Sequence, residues 1–255
     1  MQGTTDFSLK GHHALVIGGS SGIGKAIARG YLQAGAQVLI AGRDAAKLAA
    51  AQAELDPLGS VTGYQADVST EEGLRGLIGI TLAHHGHLDI LVNCQGITML
   101  KPAEDFSGAD WDAVIGTDLK SVFFACTEVG RHMLGRGSGA IINIASLASH
   151  RGWPRSALYA VAKSGVLSLT QTLGAEWAAR GVRVNAISPG FFMTELNRDK
   201  MSPERKALAL ARTPAGRFGQ VDELVGAAIY LASPAAGFVN GQTIAVDGGF
   251  LASGL

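Results

Sequence analysis

Short apolar runs alternate with amphipathic stretches along almost the whole chain, and that order leaves few folds open. Ala14–Ile17, Gln37–Ala41, Val61–Gln65, Asp89–Asn93, Ala140–Ala145, Val182–Ser188 and Thr243–Val246 read as strands. Gly22–Ala34, Asp44–Leu55, Glu71–His84, Trp111–Leu134, Ser156–Arg180, Ser202–Ala211 and Gln220–Ala232 read as helices. Strands that are apolar on both faces, with helices between them, belong to a parallel sheet covered on both sides. The linkers are short and no composition shift marks a second unit, so residues 1–255 read as one doubly wound α/β domain. In such folds ligands bind beyond the carboxyl ends of the strands, where the strand order reverses. The residues just after each strand are therefore the ones to inspect.

Composition narrows the function classes. Lys+Arg and Asp+Glu both number 21, and no basic run is present, which argues against a nucleic-acid partner. A hydrophobic share of 47% is too high for a disordered chain. No apolar stretch approaches the ~18 residues of a membrane span, and Met1–Gly11 lacks the basic and apolar regions of a signal peptide. Two cysteines, Cys94 and Cys126, cannot make a disulfide framework, so a reducing cytoplasmic setting is the default. Glycine is in excess, 35 of 255 residues, about double the usual ~7% share, and calls for a local explanation.

Part of that explanation follows the first strand. Gly18-Gly19-Ser20-Ser21-Gly22-Ile23-Gly24 leads directly into a helix. Glycines allow a tight turn and a close backbone approach to a pyrophosphate, and the helix start adds free N–H groups and a positive dipole end. The spacing is G-x-x-x-G-x-G rather than the commoner G-x-G-x-x-G. NAD sites place an acidic residue about 20 positions on; here that place holds Gly42, followed by Arg43. A guanidinium can pair with a 2′-phosphate, which favours NADP over NAD, although Arg43 also suits a solvated turn. Asp44 either weakens that field or accepts from a hydroxyl. Asp67 is a candidate for the adenine edge or, alternatively, a turn aspartate.

The chemistry follows the fifth strand. Ser146 ends it, Tyr159 lies thirteen residues on, and Lys163 is four beyond that. Helical positions i and i+4 share a face, so the lysine charge sits beside the phenol. A cation ~4 Å from a phenol at an effective dielectric of ~20 favours the phenolate by about 4 kcal/mol. That suits a proton shuttle near neutral pH, with Ser146 holding the substrate oxygen.

With these residues the chain resembles the short-chain dehydrogenase/reductases, from about Leu9 to Phe250. The resemblance rests on Gly18–Gly24, Asp67, Asn93–Gly96, Ser146, Tyr159-Ala-Val-Ala-Lys163, Asn185, Pro189-Gly190-Phe-Phe-Met-Thr194 and Asn240–Gly249. It implies a Rossmann-type domain with a seven-stranded sheet, and hydride transfer between a nicotinamide and an alcohol or ketone carbon. It implies Tyr159 as general acid/base and cofactor contact, Ser146 as substrate-orienting group and Lys163 in a second role, bonding the nicotinamide ribose. Ser20, Ser21, Gly22, Ile23, Gly24, Val68, Asn93, Gly96, Pro189, Gly190 and Thr194 join Gly18, Arg43 and Asp67 as expected cofactor contacts. The helices Trp111–Leu134 and Ser156–Arg180 look like the family's tetramer interface, so a homotetramer is expected.

Three positions depart from the family pattern. Ile17 replaces a Thr, and Asn93-Cys94-Gln95-Gly96 replaces Asn-Asn-Ala-Gly. Asp118, in Thr117-Asp118-Leu119, replaces a catalytic Asn that kinks its helix. A carboxylate accepts much as an amide carbonyl does, but its charge opposes the pull of Lys163 on the phenol. The expectation is an active enzyme with its pH–rate profile displaced upward.

Substrate contacts are expected from Gln95, His150, Trp153, Arg155, Phe191 and Phe192, under a helical lid around residues 191–212. The stretch Arg212–Ala228 and Phe238–Gln242 is similar to the gluconate 5-dehydrogenase-like branch, which implies a polyol, sugar or sugar-acid substrate. Alternatives are a 3-oxoacyl-carrier-protein-type reductase and a catalytically impaired cofactor-binding protein. No metal is expected at His84, His85 and His87, because adjacent helical residues point about 100° apart and no carboxylate or Cys completes the set.

Overall fold

The computed structural model describes residues 6–194 and 201–253. Seven strands form one parallel sheet: β1 His13–Ile17, β2 Gln37–Gly42, β3 Val61–Gln65, β4 Ile90–Asn93, β5 Gly139–Ile144, β6 Val182–Pro189 and β7 Thr243–Val246. Their order is β3-β2-β1-β4-β5-β6-β7. The chain reverses direction across the sheet between β1 and β4, whose register pairs Ala14 with Ile90 and Ile17 with Asn93. That crevice is where a doubly wound sheet opens a ligand site.

The pleat divides each strand between two apolar layers. Ala14 and Val16 face one core with Ile27, Tyr31 and Leu231, whereas Leu15 and Ile17 face the other with Leu77, Val129 and Trp177. Fully burying each such Leu, Ile or Val contributes roughly 1.5–3 kcal/mol. The helices covering the sheet are α1 Gly22–Gln33, α2 Ala45–Leu55, α3 Glu71–His85, α4 Gly108–Ile115, α5 Ser121–Arg136 and α6 Ala157–Trp177, with α7 Pro203–Ala211 and α8 Val225–Ala232 later in the chain. Local chemistry starts them: Asp44, Thr70, Ser107 and Ser202 each accept a backbone N–H at the first turn of α2, α3, α4 and α7. No described helix is long and apolar enough to cross a membrane.

The expected helix Trp111–Leu134 is interrupted. A π-helical turn, Gly116–Lys120, separates α4 from α5 and carries the buried Asp118. At the opposite end of the sheet, β1 begins beside the end of α3. The His13 and His85 rings stack there at 4.6 Å. Burial, with the neighbouring His13 next in weight, pushes the His85 imidazole down to about 4. Within the expected lid, residues 195–200 lie outside the described residues; α7 forms its described helix.

Candidate active site

A cleft of about 680 Å³ opens at the carboxyl ends of the central strands. That volume is typical of a small-molecule or cofactor site. Its floor is the glycine-rich turn after β1. Gly18 has φ +80°, and a Cβ there would lie 2.8 Å from the Cys94 carbonyl, so this position needs glycine for both its torsion and its packing. A Cβ on Gly24 would overlap the Gly18 carbonyl, which closes the turn tightly. The Ser21 N-cap makes no side-chain cap, unlike the starts of α2, α3 and α4. The α1 N–H groups and dipole therefore face the cleft, where anionic groups are favoured. Above Gly22 the first atom met is Thr194 Cγ2, at 3.9 Å. The turn thus has the space and the donors that a pyrophosphate needs. Ser20, Ile23, Pro189, Gly190 and Thr194 share this lining.

The exit of β2 supplies the charge. Arg43 and Lys47 both line the cleft, next to Gly42. Asp44 Oδ1 accepts from Lys47 N at 3.0 Å and so is committed to capping α2. Lys47 is absent from the sequence reading; its position one turn beyond Arg43 is the signal that could have found it. Asp67 also lines the cleft with Val68, and its Oδ1 accepts from Ser69 N at 3.0 Å and Ser69 Oγ at 2.7 Å. The Ser69 bonds hold the Asp67 carboxyl below its ordinary range, with Arg43 helping.

Ser146, Tyr159 and Lys163 all line the same cleft. Ser146 leaves β5 and accepts from Ala148 N at 3.2 Å. Tyr159 and Lys163 share one face of α6, with Nζ 5.9 Å from the phenol ring centre. Lys163 is nearly buried; its Nζ donates to Ile144 O at 3.0 Å and lies 3.6 Å from Asp118 Oδ2. That second separation is an ion pair beyond hydrogen-bond length.

Asp118 is fully buried, and its Oδ1 accepts from Ile97 N at 2.8 Å. Burial pushes its carboxyl up, against the downward pull of Lys163 and the Ile97 amide. Oδ2 would lie 2.9 Å from a Cβ on Gly96, so glycine is what admits the carboxylate. Asp118 itself lies outside the cleft lining, behind Gly96 and Lys163. It adjoins the cleft through the ion pair with Lys163, on the π turn that interrupts the helix.

Two expected contacts, Asn93 and Gln95, are buried and hydrogen-bonded within the fold. Asn93 is buried and donates to Asn143 Oδ1 at 2.9 Å and Cys126 Sγ at 3.3 Å, because the pleat turns it away from the cleft. Gln95 lines the cleft, but its Nε2 donates to Ser121 Oγ at 3.1 Å. That hydroxyl in turn donates to Thr117 O at 2.6 Å, which ties Gln95 to the π turn. His150, Trp153, Arg155 and Phe191 do not line the cleft, whereas Phe192 does. His150 Nε2 pairs with Ser188 Oγ at 2.9 Å. Trp153 and Phe191 pack with Phe250 in a ring cluster, at centroid separations of 5.7–5.9 Å. Arg155 is exposed, with φ 65°. Thr98 and Thr117 also line the cleft; the Thr117-Asp118-Leu119 motif pointed to Asp118 rather than to its threonine neighbour.

Comparison with known proteins places this cleft among relatives. The chain matches the family model described as enoyl-(acyl carrier protein) reductase over residues 17–251. It is 41% identical to gluconate 5-dehydrogenase of Gluconobacter oxydans (strain 621H) over 249 residues, covering 97% of each chain. It is 39% identical to 2-dehydro-3-deoxy-D-gluconate 5-dehydrogenase of Escherichia coli (strain K12), covering 96% of this chain and 98% of that one. The crystal structure of a gluconate 5-dehydrogenase from Burkholderia cenocepacia J2315, in complex with NADP and tartrate, superposes with a TM-score of 0.92 at 42% identity, covering 98% and 99% of the two chains. Likeness of this extent, in sequence and backbone together, comes from common descent, and the chain belongs to the short-chain dehydrogenase/reductase family.

Proposed function

We propose that this protein is an NADP-preferring dehydrogenase that interconverts an alcohol and a ketone on a polyol, sugar or sugar acid. The presence of Ser146, Tyr159 and Lys163 in one cleft with the glycine turn carries the reading. The turn and the α1 N-terminus would hold the pyrophosphate, Arg43 and Lys47 a 2′-phosphate, and Lys163 the nicotinamide ribose. When bound, the nicotinamide supplies the hydride acceptor or donor. The Ser146 hydroxyl holds the substrate oxygen by hydrogen bond. Tyr159 Oη takes the alcohol proton in oxidation and returns it in reduction, with the Lys163 Nζ 5.9 Å from its ring centre. The described helix of the expected lid, α7 Pro203–Ala211, would close over the site and exclude water.

NADP is favoured over NAD because β2 ends in Gly42-Arg43 and Asp44 is occupied as a cap. The sugar-acid class is supported by the gluconate relatives. Turnover of D-gluconate and a polyol panel, followed at 340 nm with each cofactor, tests both points. We expect at least tenfold higher kcat/KM with NADP than with NAD. In Arg43→Ala, KM for NADP should rise about tenfold or more, the loss of one charge-assisted contact worth ~1.5–3 kcal/mol, while KM for NAD stays unchanged. Equal effects on both cofactors would remove Arg43 from the site.

A 37% identical relative, the 3-oxoacyl-[acyl-carrier-protein] reductase of Chlamydia pneumoniae, favours one alternative, a 3-oxoacyl-thioester reductase. Faster turnover of an acetoacetyl thioester than of any polyol would establish it. A homotetramer is proposed on the exposed apolar residues Trp111, Phe123 and Val161 of α4, α5 and α6. A cytoplasmic setting is supported by the two free thiols.

A further inference from the structure

Six of the seven histidines lie at the end of the sheet opposite the cleft, and only His150 does not. The parallel pairing of β1 and β4 sets His13 beside Asp89: His13 N donates to Asp89 Oδ2 at 2.9 Å, and Asp89 N to His13 O at 3.0 Å. Gly86, with φ +72°, ends α3 and returns the chain towards that edge. His87 Nε2 then lies 3.2 Å from Asp89 Oδ2, and the His13 and His87 rings lie 4.4 Å apart. The tertiary fold thus supplies the carboxylate that the sequence spacing seemed to lack.

The three residues each offer one donor atom, and all three atoms lie within 4.8 Å of one another. A tetrahedral zinc site with arms of about 2.0–2.2 Å has donor–donor edges of about 3.3 Å. The His87–Asp89 edge already has that length, and His13 needs only a side-chain adjustment. His13 Nδ1 is buried with no hydrogen-bond partner among the described residues. Asp89 is held from behind, since Arg136 donates to its Oδ1 at 3.0 Å. A carboxylate has about four acceptor sites, so Oδ2 keeps one beyond that used by the His13 amide. Outer-shell bonds of this kind fix a metal-binding carboxylate in place. Two imidazoles and one carboxylate suit a zinc-type ion, not calcium or magnesium, which take oxygen ligands.

We propose that His13, His87 and Asp89 form a site for a divalent transition-metal ion of zinc type, outside the catalytic cleft. Bound there, the ion ties the end of α3 to the starts of β1 and β4. Ligands that bind only the folded state raise its stability by mass action.

The test uses the full chain, freed of metal by chelation and titrated with zinc chloride against a chromophoric competitor. One zinc per chain is expected, with a Tm that rises with zinc concentration and does not respond to magnesium. His87→Ala should keep the metal-free Tm within a few degrees, because that side chain is partly exposed and sits after a turn. It should also lose at least tenfold in zinc affinity, and His13→Asn should do the same. His84→Ala is the control and should bind as the unaltered protein does. Absence of stoichiometric uptake, or a zinc affinity in His87→Ala and His13→Asn equal to that of the unaltered protein, would overturn the proposal.

Discussion

Asp118 is the residue at which this chain differs most from what its motifs imply. Its carboxylate is buried, and the desolvation that raises its pKa outweighs the opposing Lys163 charge. A carboxyl whose folded pKa is raised contributes stability below its ordinary value near 3.9 and loses it as pH rises through the folded value. Asp118→Asn should therefore gain stability relative to the unaltered protein as pH rises above about 4, measured by urea unfolding across pH. Removing the charge also leaves Lys163 unopposed, so the acid limb of the pH–rate profile should move to lower pH. Superimposable profiles would show that Asp118 does not act through Lys163. Tyr159→Phe should lose about 10²–10⁴-fold in kcat while still binding NADP by fluorescence titration, the usual worth of a general acid/base. The two thiols should be inert. Burial pushes Cys94 up to about 11 and Cys126 up to about 12, so a disulfide reagent at neutral pH should label neither until the chain unfolds.

Element by element, the strands were legible because a parallel sheet buried on both faces leaves continuous apolar runs. The helices were legible from their period and caps, but their interruptions were not. The π turn at Gly116–Lys120 lies inside an unbroken amphipathic stretch. Ser121 Oγ, bonded to Thr117 O and held by Gln95 from a different element, helps fix it. No local pattern contains that partnership. Close helix packing is also invisible locally. Gly30 of α1 presses against Val225 of α8, and a Cβ there would overlap the valine Cγ1. Gly30→Ala gains about 1 kcal/mol of helix propensity, but forcing apart a stiff β-branched contact costs ~1–3 kcal/mol. A net destabilisation in thermal or denaturant unfolding is expected. An unchanged midpoint would mean that the interface can relax.

Across the whole molecule, the sheet order puts the ends of β1, β2, β4, β5 and β6 around one cleft. A second apolar concavity, of about 390 Å³, lies between α5 and α6 and is lined by Leu119, Phe123 and Leu169. If these helices join copies of the chain, Phe123→Glu should shift the mass from tetramer towards smaller species in analytical ultracentrifugation. An unchanged mass would place the contact elsewhere. The sequence alone determined the α/β class, the glycine turn and the Ser146, Tyr159 and Lys163 set. Each of these is a local spacing of residue types read against one helix or strand. Only the tertiary structure decided that Asp118 pairs with Lys163, that Asn93 faces a buried network, and that Lys47 joins Arg43. It alone set His13 beside His87 and Asp89. Strand pairing brings residues together over more than seventy positions of chain, as from His13 to Asp89, and side-chain direction there depends on register, which no local spacing encodes.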